Sequence, residues 1–168
     1  MKKEIRLYNI IFPVWMLMLI PVLWIALLPL NFIVDSIILL IALRFIIKTT
    51  DIKSIYKKTI FKVWTFGFLS DIVGAFILLY ASQMPFRNTD NDYVYKLDAL
   101  NWNAFNNPYA FIYMLLAVII SGVLIFIFNY KISFNEAGLN KLDKIKVSLI
   151  LAILTAPYTF FIPAEWIN

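Results

Sequence analysis

Five long apolar blocks, with positive charge concentrated on alternate sides of them, leave this chain one kind of fold. The blocks run over residues 7–28, 32–47, 60–82, 109–130 and 147–163. A helix rising about 1.5 Å per residue needs roughly 20 apolar residues to cross a hydrocarbon core about 30 Å thick, and each block with its flanking anchors meets that length. The expected fold class is all-α: a polytopic membrane protein, a bundle of about five transmembrane helices forming a single transmembrane domain over residues 1–168.

Composition agrees. The chain is 62% apolar, with 15 Phe, 9 Tyr and 5 Trp. That excess suits helices whose outer surface meets lipid, and the residues left outside the blocks cannot build a water-soluble core. Cysteine and histidine are both absent. Disulfides, thiol chemistry, His/Cys zinc sites, Ser–His and Cys–His catalysis and axial histidine ligation of haem are thereby excluded. No cofactor and no metal are expected. Asp90-Asn91-Asp92 resembles the start of a calcium loop, but the turn glycine and the closing glutamate are missing. The partners expected are the lipid bilayer and other membrane subunits or further copies of the chain, not nucleic acid.

Lys and Arg beside the blocks set the orientation. Lys2, Lys3 and Arg6, then Lys48, Lys53, Lys57, Lys58 and Lys62, then Lys131, Lys141, Lys144 and Lys146 fall on one side; only Arg87 and Lys96 fall on the other. The basic side is expected to be cytoplasmic, with the N-terminus inside, the C-terminus outside and an outer loop over 83–108. The basic start followed by an apolar run imitates a signal peptide, but the run is long and lacks a small-x-small cleavage site, so a retained first helix is expected. Abundant Lys, Asn, Ile, Phe and Tyr suggest a bacterial source and a multi-pass protein of the plasma membrane. Pro13, Pro21 and Pro29 punctuate the first block, and the short link Pro29-Leu30-Asn31 is read as a turn. Two crossings are expected there, with a re-entrant hairpin as the alternative.

Three ionisable residues fall within the blocks. Asp35 is placed near the outer surface, Arg44 near the cytoplasmic boundary, and Asp71 close to the midplane. Asp71 leans toward the cytoplasm and Arg44 toward the bilayer centre, so an Arg44–Asp71 charge pair is expected. Asp35 and Ser70 form a secondary polar site. Gly67, Ser70, Asp71 and Gly74 make one helical stripe; Ala117 with Ser121, and Ser148 with Ala152 and Ala156, make others. Small residues at this spacing permit close helix packing. Pro157 should kink the last span and free a carbonyl.

The function expected first is a non-enzymatic integral membrane subunit of a larger assembly of transport, secretion or conjugation type. The second is a small oligomeric channel or an ion- or proton-coupled transporter using Asp71. An intramembrane enzyme comes third, because Asp35 and Asp71 are read at different depths.

Overall fold

The computed structural model describes residues 13–83 and 99–166. It is 84% helix, with no strand among the described residues. Four helices are long and apolar enough to cross a membrane, and together they identify a multi-pass membrane protein. After a short helix α1 (Val14–Leu17), they are α2 (Pro21–Ile47), α3 (Ile52–Gln83), α4 (Pro108–Ser133) and α5 (Lys141–Phe161).

The first two blocks differ from expectation. The chain does not turn at Pro29-Leu30-Asn31; Pro29 lies inside α2, which runs unbroken through it. The break falls earlier, at Ile20, whose backbone is extended, and Pro21 opens α2 in the first helical position that its ring favours. Neither two crossings joined at Pro29 nor a re-entrant hairpin there is formed. An interior proline is tolerated in a membrane helix, where neighbouring groups and small local adjustments re-satisfy the freed backbone. Asn31 is not a turn residue, because its side chain is held by Asp71 on α3. Residues 7–12 lie outside the described residues, as do Lys2, Lys3, Arg6, Arg87, Lys96 and the Asp90-Asn91-Asp92 string.

The remaining blocks lengthen. α3 begins at Ile52, so most of the expected loop before residue 60 is helix. α4 starts on Pro108, with Asn107 accepting hydrogen bonds from the Tyr109 and Ala110 amides. The last six residues of α2 and the last five of α4 belong to π-helical turns, Ala42–Ile47 and Asn129–Ser133. In α5 the α-helix stops at Leu154 and resumes as a tighter turn over Tyr158–Phe161. Pro157 sits in that break, as expected. The carbonyl of Ile153, which loses its amide donor to the proline, accepts instead from the Tyr158 hydroxyl at 2.7 Å.

α1 caps the end of the bundle where α3 finishes and α4 begins. The Trp15 indole donates to the Leu100 carbonyl at 3.0 Å, and α1 packs on the Tyr158–Phe161 turn. Pro13 and Trp166 therefore lie at the same end of the described bundle, as four successive antiparallel helices require. Two apolar clusters fill the interior. One, at that end, is built on Trp15, Phe68, Leu78, Leu100, Met114 and Phe160. The other, toward the lysine-bearing turns, is built on Leu39, Leu43, Val63, Ile125, Val147 and Leu151. Asp35, Ser70, Asp71 and Ser121 are buried between them and belong to neither.

Candidate functional site

Asn31 and Asp35 are four residues apart on α2, and Gly67 and Asp71 four apart on α3, so each pair shares one helical face. The helices run antiparallel and bring the two faces together. Asn31 Nδ2 donates to Asp71 Oδ2 at 3.4 Å. One turn away, a Cβ on Gly67 would stand 3.2 Å from Asp35 Oδ2, so the missing side chain is what seats the carboxylate. Asp35 is 2% exposed and Asp71 3%. Asn31 stands one turn from Asp35 on α2 and bonds Asp71, so the two carboxylates lie about one turn apart along the α2–α3 interface.

Depth differs from the sequence-based expectation. Asp35 stands 14 residues, about 21 Å, into a 27-residue helix, at its middle rather than near the outer surface. The error follows from taking Asn31 as the helix start. Asp35 therefore lies about one helical turn, roughly 6 Å, from the level of Asp71, and both carboxylates are in the middle part of the bundle.

The expected Arg44–Asp71 pair does not form. With Asp35 level with Gly67, Arg44 is level with about Lys58, and Asp71 lies 13 residues beyond, roughly 20 Å up the bundle. Arg44 is exposed, its guanidinium 5.9 Å from the centre of the Phe45 ring. α3 begins at Ile52, well before the apolar block at residue 60, which shifts its register against α2. Among the described residues, no Lys or Arg forms an ion pair with Asp35 or Asp71; the one ion pair joins Lys62 and Glu136 at 3.7 Å, at the basic end. Asp35 Oδ2 and Asp71 Oδ1 are buried without any hydrogen-bond partner.

Ser70 is not part of this site. Its hydroxyl turns back to the Phe66 carbonyl at 2.7 Å, and its own carbonyl accepts from Ser121 Oγ at 3.0 Å. The small residues serve contacts within the chain. A Cβ on Gly74 would collide with Ser121 Oγ and stand 3.1 Å from Phe160 and 3.4 Å from the Ala117 carbonyl. Gly122 faces the Ala152 carbonyl in the same way at 3.4 Å. Ala117 and Ser148 are fully buried; Ala152 is nearly so, and Ala156 is half-buried beside Gly122.

Sequence reasoning missed Asn31, Gly122 and Asn129. The four-residue spacing of Asn31 and Asp35, matched by Gly67 and Asp71, was the available signal for the first. Chemically, the site offers two carboxylates and one amide in an environment that penalises unpaired charge. Such oxygen donors suit a proton or a hard cation. No group of three or more acidic ligands that would cage a metal occurs among the described residues. Compared with known proteins, the chain matches no family model, no curated protein and no solved structure.

Proposed function

We propose that this chain is a membrane transport protein that takes up a proton or small cation at Asp35 and Asp71. The observation that carries this is two buried carboxylates about one turn apart at mid-bundle, each with an unpartnered oxygen and neither paired with a basic side chain among the described residues. Ionisable side chains at that depth are costly, and they mark ion or proton pathways in membrane bundles. A proton or cation shared between the carboxylates offsets both their repulsion and their loss of water. Their burial admits a small ion but no larger substrate, so the proposed role is binding and passage, not catalysis. The end carrying Lys58, Lys62, Lys131 and Lys144 faces the cytoplasm of a bacterial plasma membrane in this proposal, by the excess of Lys there.

A second reading, a subunit of a larger membrane assembly, is favoured by one feature. An open apolar groove of about 460 Å³ runs between α4 and α5, lined by Gly122, Ala152 and Ala156 with larger residues at its edges. Small residues on a lipid-facing groove suit a helix from another subunit.

Proteoliposome flux tests the transport proposal. The wild type should pass protons or an alkali cation, and Asp35→Asn and Asp71→Asn should each abolish that flux while Lys62→Ala retains it. Equal flux from the wild type and both Asn variants would remove the proposal.

A further inference from the structure

Seven buried side-chain polar atoms lack a hydrogen-bond partner among the described residues, and six of them belong to Asp35, Asp71, Asn129, Ser133 and Ser148. Buried polar groups are nearly always satisfied, so a set of orphans needs a cause, and water or an ion is the usual one. In a membrane bundle, where lipid supplies no hydrogen bonds, the need is stronger.

These residues lie in sequence along the bundle axis. Ser121 on α4 bonds Ser70 on α3, and Phe128 stacks on Phe66 with ring centres 5.1 Å apart. Asn129 is therefore level with about Val63, one turn nearer the basic end than Gly67 and Asp35. Gly122 faces Ala152, and Ala156 lies near it, so Ser148 on α5 is level with residues 126–130 of α4. Asn129 and Ser148 thus share a level, each fully buried, and both atoms of the Asn129 amide are unpartnered. Ser133 follows one turn further on. It lines a pocket of about 310 Å³ at the basic end with Lys58, Lys62 and Glu136. In the other direction the sequence stops at Asp71, beyond which the bundle is closed by Trp15, Leu78 and Phe160, each at most 1% exposed.

We infer that a hydrated polar path leads from the pocket at Ser133, past Asn129 and Ser148, to Asp35 and Asp71, and that a small cation or proton reaches the carboxylates from the basic end alone. The inference rests on taking Asp35 and Asp71 as the binding site. Glu136 gives the pocket mouth an acidic group among its lysines, and the hydroxyls and amide along the way supply oxygen donors for a cation or for waters that relay a proton.

The cysteine-free chain makes the test direct. Ser133→Cys, Asn129→Cys, Ser148→Cys and Leu78→Cys are each treated in oriented membranes with 2-(trimethylammonium)ethyl methanethiosulfonate, a permanently cationic thiol reagent. The first three should lose their free thiol when the reagent is on the side of Lys58 and Lys62, and keep it when the reagent is on the other side. Leu78→Cys should keep its thiol throughout. Ser133→Cys and Ser148→Cys are near-isosteric and carry the test should Asn129→Cys not fold. If both keep their thiols as Leu78→Cys does, the path is overturned. Labelling without any flux in the wild type would retain the path and remove the transport proposal; flux with no labelling would do the reverse.

Discussion

At the scale of single residues, Gly67 sets the terms for Asp35. An alanine in a helix interior is worth about 1 kcal/mol over glycine, whereas forcing an added methyl into a packed site commonly costs about 1–3 kcal/mol. At Gly67 the added Cβ would meet Asp35 Oδ2 at 3.2 Å, so the packing cost should win. Gly67→Ala is expected to lower thermal stability in detergent when Asp35 is present. In an Asp35→Ala background the obstacle is gone, and the same substitution should become neutral or stabilising. Thermal unfolding of the four proteins measures this; a Gly67→Ala effect that is the same in both backgrounds would detach Gly67 from Asp35. Arg44, by contrast, has no partner at the carboxylates, and its truncation should leave the site intact.

Between helices, α3 and α4 pack most extensively. Ser121 reaches across to the Ser70 carbonyl, and Gly74 leaves room for the Ser121 hydroxyl, Phe160 and the Ala117 backbone. Gly74→Ala should therefore destabilise the bundle by about 1–3 kcal/mol, the range for overpacking a filled core. Removing the hydroxyl as well, by Ser121→Ala, should recover only part of that loss, because Phe160 and the Ala117 carbonyl remain. Full recovery would show that the hydroxyl alone sets the spacing. The elements themselves were largely legible in the sequence. α4 matches its apolar block to within a few residues, and Pro157 marks the break in α5. Close packing at Gly74 and Ser121 also followed from the spacing of small residues. What the sequence concealed was register. A proline and an asparagine together read as a turn at Pro29–Asn31, and only the partner across the interface, Asp71, explains why Asn31 is helical. That misplacement moved Asp35 to the membrane surface and concealed Asn31 as the partner of Asp71. Periodicity says which residues share a face, but which face meets which depends on how far each helix extends, and α3 gains its extra turns from Lys- and Thr-containing sequence that resembles a loop.

For the whole molecule, two apolar clusters hold a polar layer between them. The cluster at the Trp15 end is dense with aromatic and Met side chains; the one toward the lysine-bearing turns is mostly aliphatic, and Asn129, Ser133 and Ser148 are buried at that end. This asymmetry gives the bundle a closed end and an accessible end, and it is why the carboxylates are proposed to communicate with one side. Everything in the account depends on Asp35 and Asp71 acting as one site. A double-mutant cycle on unfolding free energy, with Asp35→Asn, Asp71→Asn and both together, tests that claim most directly. If the two carboxylates share one proton or cation, the first substitution removes most of what the site holds and the second should add little, so the combined effect should depart from the sum by about 0.5–3 kcal/mol, the range for coupled residues. Two effects that add to within about 0.5 kcal/mol, as independent sites do, would contradict a shared site.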